Sequence, residues 1–141
     1  MTVFAGSQFL SEILLRNPDY LPALKGLKHL EERKTPQRLY AEAQGAIAAC
    51  ERGEELSPLD ALRRMQRAEL LRIGVGDLLG LLDLSTVTAQ LSHLADGLIQ
   101  LCLDLVAGQA GVAGFVVVAL GKLGGNELNY SSDIDLLFLC A

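Results

Sequence analysis

Hydrophobic residues recur at three- and four-residue spacing over most of the chain before Phe115, which is the pattern of amphipathic helices. An N-cap residue, in two cases followed directly by proline, opens each of the first periodic segments. The pattern predicts helices from Ser7 to Asn17, from Thr35-Pro36 to Gly53 and from Ser57-Pro58 to about Ile73.

Glycines shape the prediction for the rest of the helical part. After a helix end near Ile73, Gly74, Gly76 and Gly80 are expected to loosen the next segment, which leaves room for another short helix. A later cluster is expected to form a loop before the first strand: Gly108, Gly111 and Gly114. Between these clusters, Ser85 is predicted to open the most regular helix of the chain, because leucines follow it at helical spacing on one face.

The hydrophobic pattern changes near the end of the chain. Two continuous apolar runs, Phe115–Leu120 and Ile134–Cys140, are short enough to be strands and predict two buried ones. The chain therefore predicts an α+β protein, in which several helices precede the first strands of a sheet.

Two aspartates lie between the runs, at the entry to the second predicted strand. Asp133 and Asp135 are spaced i, i+2, so on a strand they would point to the same face about 7 Å apart. Beside an apolar strand such carboxylates repel each other and lose hydration, which a bound cation would relieve. Oxygen-only ligands suit Mg²⁺, and Gly124 and Gly125 would let backbone N–H groups approach a phosphate.

The segment from Gly121 to Phe138 closely resembles the nucleotidyltransferase motif of the bacterial glutamine synthetase adenylyltransferases, which also act as adenylyl-removing enzymes. This family is part of the superfamily that includes DNA polymerase beta. The stretch from Leu128 to Ser132 resembles the N-terminal, adenylyl-removing half, as does Ala61–Ile73 within the helical part.

The resemblance implies a set of site residues, cofactors and partners. Asp133 and Asp135 would be catalytic ligands of Mg²⁺, while Gly124, Gly125 and Ser132 would bind the nucleotide. The implied activity is phosphorolytic removal of AMP from a tyrosine of glutamine synthetase, which regulates nitrogen assimilation. ADP or ATP, phosphate and a PII-type signalling protein are the further implied partners.

Several alternatives stay open beside this interpretation. The same motif would serve ATP-dependent adenylylation, and the fold would also suit a non-catalytic regulatory or docking module. A P-loop and a dinucleotide-binding fingerprint are excluded, because the required glycine spacing and a crossover helix are missing. For Lys122, a contact with a phosphate and a purely solvated side chain are equally compatible with the sequence.

Other charged residues of the helical part are predicted to be structural. Arg63, Arg64, Arg67 and Arg72 are expected on a solvent-exposed helix face, together with Glu69. A lone His93 within a leucine-rich helix is expected to be structural rather than catalytic.

Composition excludes several classes of function. A net charge of −5 argues against sequence-independent nucleic-acid binding, which depends on Lys and Arg. Three cysteines without CxxC spacing suggest neither a disulfide framework nor a zinc site, and therefore a reduced, cytoplasmic setting. No apolar run approaches the roughly 18 residues of a membrane span, so no membrane partner is expected.

The predicted organisation is a helical region over residues 1–111 and the start of a polymerase-beta-like nucleotidyltransferase domain over residues 112–141. Two strands alone seldom form a stable sheet. The resemblance also implies a third carboxylate on a later strand. The sequence is therefore expected to be a fragment of a domain that lacks activity by itself.

Overall fold

A computed structural model of the protein describes residues 2–24, 26–51, 57–110 and 114–140. The helices of the first part are α1 (Thr2–Gly6), α2 (Gln8–Arg16), a 3₁₀ helix (Pro18–Leu24), α3 (Leu27–Leu30), α4 (Pro36–Glu51), α5 (Pro58–Leu78) and α6 (Leu84–Ala110). They are followed by strand β1 (Phe115–Leu120), the one-turn helix α7 (Gly121–Gly124) and strand β2 (Asp135–Cys140). The predicted α+β class is confirmed.

Three of the four predicted helix starts, those at Ser7, Thr35 and Ser57, are confirmed by capping contacts. The hydroxyl oxygens of Ser7, Thr35 and Ser57 each accept a hydrogen bond from the backbone N–H three residues later, at 3.2–3.3 Å. Each contact satisfies an N–H group that has no partner within the helix. The predicted end of the second helix at Gly53 lies outside the described residues.

The predicted break after Ile73 is wrong, since α5 continues through Gly74 and Gly76 to Leu78. Both glycines are required by close packing rather than by a loop. A Cβ at position 74 would lie 2.6 Å from a methyl carbon of Leu10, and one at position 76 would lie 2.9 Å from the Leu30 carbonyl oxygen. Tertiary contact therefore outweighs the roughly 1 kcal/mol by which glycine disfavours a helix.

The start of α6 also differs from the prediction, because Asp83 caps this helix in place of Ser85. The Asp83 carboxylate accepts hydrogen bonds from the Thr86 N–H at 2.7 Å and from the Ser85 hydroxyl at 2.9 Å. Hydrogen bonds from Thr86, and then from Ser85, lower the pKa of Asp83 to about 2. The helix continues past Gly108, which was predicted to be in a loop.

By length and composition alone, one helix of the described chain, Leu84–Gly108, is apolar enough to cross a membrane. The prediction from sequence required one continuous apolar run, and Asp96 and Asp104 interrupt this stretch. Their number is nevertheless small enough for the helix to qualify by its mean hydropathy. A single such helix is weak evidence of a membrane span, because the core helix of a soluble protein passes the same test. Here α6 packs against α4 and α5 and buries Gln90 and Ser92 in polar contacts.

The two strands pair antiparallel, with Val116 opposite Leu139 and Val118 opposite Leu137. The inner face of the sheet contributes Ala119 and Leu136, which pack against the core cluster built around α5 and α6. The outer face is apolar and exposed. The prediction of fully buried strands is therefore wrong for the described chain, in which each strand covers the helices with one face only.

A network of polar side chains is buried where α4, α5 and α6 meet. Glu69 accepts hydrogen bonds from Arg72 at 2.8 Å and from Lys34 at 2.7 Å, and Arg72 also donates to Gln90 at 3.0 Å. Arg72 is 1% exposed, so its predicted place on a solvent face is wrong. His93 has a structural contact, as predicted, with Nδ1 lying 3.0 Å from the Lys34 carbonyl oxygen.

Candidate functional site

The candidate site is the loop of residues 121–134, called the motif loop below, which joins β1 to β2. It turns sharply at Gly121, whose φ of 56° lies in the left-handed region that favours glycine. A Cβ on Gly121 would also lie 3.1 Å from an Asp135 carboxylate oxygen. Glycine at this position therefore makes the turn and lets the carboxylate lie against the backbone.

The predicted nucleotide-binding glycines have roles within the turn itself. A Cβ on Gly124 would lie 2.5 Å from the Ala119 carbonyl oxygen, so no other residue fits there without a backbone shift. The Gly125 N–H donates to the Gly121 carbonyl at 3.0 Å. The predicted tight turn is present, and contact of these glycines with a nucleotide stays a prediction.

A short chain of polar contacts crosses the motif loop. Lys122 Nζ donates to the Ser132 hydroxyl at 3.3 Å, and that hydroxyl donates to the Asn129 side-chain oxygen at 2.6 Å. The Lys122 ammonium group therefore lies beside Ser132, the residue that directly precedes Asp133 in the chain. Sequence reasoning left Lys122 undecided, because the ten-residue separation from Ser132 gives no local signal.

Asp133 and Asp135 are both exposed in the described structure, so the expectation that they lose hydration is wrong. Strand β2 begins at Asp135, which places Asp133 in the loop rather than on the strand. Strand alternation therefore does not fix the relative direction of the two side chains. Asp133 and Ser132 line a cavity of about 350 Å³, whose floor is formed by leucines of α5 and α6.

The helical layer holds the motif loop at several points. Leu123 and Leu128 are buried in the same core cluster as residues of α5 and α6. The Leu128 N–H donates to the hydroxyl of Ser92 on α6 at 3.0 Å, and the Tyr130 hydroxyl donates to Asp77 on α5 at 3.1 Å. Sequence reasoning missed these contacts, because nothing near Ser92 or Asp77 indicates a partner so distant in sequence.

The carboxylate oxygens of the motif loop and β2 are of the donor type that hard divalent cations prefer. Among the described residues no group of three or more His, Cys, Asp or Glu side chains is placed to hold a metal ion. Two exposed carboxylates, Asp133 and Asp135, flank the entry to β2. This number is sufficient for Mg²⁺, which commonly takes one or two carboxylates together with substrate phosphates and water.

Comparison with known proteins identifies the chain as part of a transferase family. The sequence profile of glutamate-ammonia ligase adenylyltransferase matches residues 1–141. The chain belongs to this family, and the resemblance found in the motif is confirmed.

Three relatives illustrate the similarity. Each is a bifunctional glutamine synthetase adenylyltransferase/adenylyl-removing enzyme. The chain is 34% identical to the Mycobacterium leprae protein over 99% of its own length, 34% identical to the Neisseria meningitidis serogroup B protein over 97%, and 33% identical to the Mycolicibacterium smegmatis protein over 99%. It spans only 14–16% of the length of these relatives.

Proposed function

We propose that the protein acts in the Mg²⁺-dependent removal of AMP from an adenylylated tyrosine of glutamine synthetase by phosphorolysis. The observation that carries this proposal is the pair Asp133 and Asp135 at the exit of a glycine-rich turn, in a chain of this family. We further propose that residues 112–141 begin a polymerase-beta-like nucleotidyltransferase domain.

In the proposed reaction an oxygen of inorganic phosphate attacks the adenylyl phosphorus in line with the bond to the tyrosine oxygen. That bond breaks, ADP is formed, and the tyrosine oxygen takes up a proton. Asp133 and Asp135 would hold Mg²⁺, which when bound supplies charge neutralisation at the phosphate oxygens. Lys122, whose Nζ donates to the Ser132 hydroxyl, would contribute a positive charge to the same phosphates.

The direction of transfer is proposed from the resemblance of Leu128–Ser132 to the adenylyl-removing half. In-line displacement uses the same geometry forwards and backwards, so the carboxylates alone serve either direction. The printed names of the relatives cover both activities. ATP-dependent adenylylation of glutamine synthetase is therefore the second candidate within this class.

The proposed partners are glutamine synthetase, a nucleotide, phosphate and a PII-type signalling protein. We place the protein in the cytoplasm, which suits Cys50, Cys102 and Cys140, all of which are free thiols. A non-catalytic docking module is the remaining alternative. A docking module would have no turnover for the loss of either aspartate charge to abolish, so the two aspartate variants distinguish it from an enzyme.

The test uses the whole gene product that carries these 141 residues. With adenylylated glutamine synthetase, Mg²⁺ and phosphate, it is expected to release ADP and restore the free tyrosine. Asp133→Asn and Asp135→Asn are each expected to abolish this turnover. Glu127→Gln, which alters another exposed carboxylate of the motif loop, is the matched control and is expected to retain it.

Other products would contradict the proposal in different ways. Release of AMP would identify water as the nucleophile, and pyrophosphate formation from ATP without ADP release would identify the adenylylating direction. Full turnover in both aspartate variants would exclude the metal site. The isolated 141 residues are expected to show no turnover, because their described part offers two site carboxylates and the resemblance implies three.

A further inference from the structure

We infer that two hydrogen bonds from the helical layer position the motif loop for the reaction, so that Ser92 and Asp77 are positioning residues of the site. The first joins the Ser92 hydroxyl to the Leu128 N–H, and the second joins Asp77 to the Tyr130 hydroxyl. This inference rests on the proposed function, because it concerns the loop that carries Asp133.

Ser92 is fully buried, and its hydroxyl acts both as a hydrogen-bond acceptor and as a donor. Its oxygen accepts from the Leu128 N–H at 3.0 Å, while its hydrogen is donated to the Thr88 carbonyl within α6 at 2.9 Å. The donation to Thr88 fixes the orientation of the hydroxyl, so its acceptor side faces the loop. Leu128 is itself 8% exposed, so water does not readily replace this acceptor.

The position of Leu128 in the chain makes this contact important for the site. It lies five residues before Asp133 and directly before Asn129, whose side chain receives the Ser132 hydroxyl. Asp133 lies outside β2, so the sheet ladder does not hold it. The contacts between the loop and the helices must therefore supply the rigidity that a strand would otherwise give to a metal ligand.

The Tyr130–Asp77 contact is an independent second anchor, on a different helix. The phenol ring packs against the core cluster of α5 and α6, and its hydroxyl reaches Asp77 at 3.1 Å. Burial, and then the neighbouring Asp77 carboxylate, raise the pKa of Tyr130, so the phenol stays protonated and remains a donor. Two anchors on α5 and α6 flank Asn129 and restrict the loop on both sides.

A positioning role and a purely stabilising role of the two anchors have different measurable consequences. If the anchors position Asp133, their loss lowers turnover and the affinity for Mg²⁺ with ADP, while the affinity for the protein substrate stays unchanged. Supporting residues of this kind typically contribute about 10- to 100-fold to activity or metal affinity. If the anchors only stabilise the fold, the melting temperature falls and the properly folded fraction keeps its full turnover.

The experiment compares Ser92→Ala, Tyr130→Phe and Thr88→Ala in the whole gene product. Thr88→Ala is the matched control, because its hydroxyl donates only to the Ser85 carbonyl on the same helix. For Ser92→Ala we expect kcat to fall about 10- to 100-fold with an unchanged KM for adenylylated glutamine synthetase. Hydrogen exchange is expected to accelerate at Leu128 and its neighbours and to stay slow in the centre of α6.

Tyr130→Phe removes only a hydroxyl and keeps the ring in the core. It is expected to lower kcat in the same way, and it decides the question if Ser92→Ala does not fold. Unchanged kcat and Mg²⁺·ADP affinity in the folded variants would overturn the inference. Asp133→Asn, assayed in parallel, distinguishes failure of this inference from failure of the proposed function, because full activity in that variant would contradict the proposed function itself.

Discussion

At the scale of single residues, Glu69 is part of a buried charge cluster in the helical layer. It is the carboxylate that both Lys34 and Arg72 contact, and all three side chains are buried. A buried cation is tolerable only when it is paired and hydrogen-bonded, because desolvation disfavours its charged form. Lys34 has a second carboxylate in Glu42, whereas Glu69 is the acidic partner of Arg72 among the described residues.

Glu69→Gln is therefore expected to destabilise the protein strongly. The amide keeps a hydrogen-bonding oxygen, but it leaves the Arg72 charge buried without an anion, at a cost of about 3 kcal/mol or more in free energy of unfolding. Denaturant unfolding followed by circular dichroism measures this change. The control is Arg63→Gln, which breaks an exposed pair with Asp60 and should cost less than about 1 kcal/mol. Equal effects of the two substitutions would contradict this account.

The residue scale also shows how far the site could be predicted from sequence. The turn glycines and the two aspartates were found because they are consecutive or nearly so, and their residue types restrict the chemistry. Ser92, Asp77 and the buried state of Arg72 could not be found, since each depends on a partner tens of residues away. The shared direction expected of Asp133 and Asp135 rested on strand alternation extended two residues too far, since β2 begins only at Asp135.

At the scale of elements, three of the four predicted helix starts agree with the structure, whereas the breaks predicted at Gly74 and Gly108 do not. An N-cap is a local signal that depends on one side chain and an N–H three residues later. A glycine inside a helix is ambiguous, since it favours a break locally but permits close helix packing. The structure shows the second effect at Gly74, Gly76 and Gly97, the last of which lies where α6 crosses α4.

Substitution of Gly97 by alanine is expected to destabilise the protein by about 1–3 kcal/mol, as overpacking does. The new Cβ would lie 2.9 Å from the Pro36 carbonyl oxygen and 3.0 Å from the Tyr40 nitrogen, and neither backbone atom can move freely. Gly45→Ala on α4 is the matched control. No atom lies within 4 Å of its new Cβ, so its helix propensity should stabilise the protein by about 0.5–1 kcal/mol. Thermal melts with opposite shifts would confirm the contrast, and shifts of the same sign would refute it.

The Asp83 cap is expected to make the stability of the folded protein depend on pH. The folded-state pKa of about 2 lies below the ordinary value of 3.8, so the ionised cap stabilises the folded state at pH values above 3.8. That contribution is lost as the pH falls from about 4 towards 2. Asp83→Asn, which keeps an acceptor without a titrating charge, should flatten the pH dependence of the melting temperature in this window. An unchanged slope would show that other carboxylates determine it.

At the scale of the whole molecule, the helices and the sheet share one core. Leu123, Leu128 and Leu136, which belong to the motif loop and β2, pack in the cluster that contains Ile73 and Val87. The helical layer thus supports the sheet from one side. Without this packing, a sheet of two strands would be only marginally stable. The strands themselves were predictable from their apolar runs. Their one-sided burial was not, because both faces of each run are apolar.

The outer sheet face is expected to act as a surface for association. Val118 and Leu137 lie opposite each other there and are 37% and 46% exposed, so an apolar ladder faces solvent. Such a face favours association between copies of the chain. Changing both residues to threonine, which suits a strand, should reduce concentration-dependent association of the 141-residue chain in sedimentation velocity.

The same double substitution should change the free energy of unfolding by less than about 1 kcal/mol, because surface positions contribute little. Leu136→Ala on the inner face is the matched comparison and should cost about 2 kcal/mol or more, since that side chain packs against the core cluster. If the outer-face variant loses as much stability as the inner-face one, the outer face takes part in the fold. If association is unchanged while stability is retained, the apolar ladder is not the associating surface.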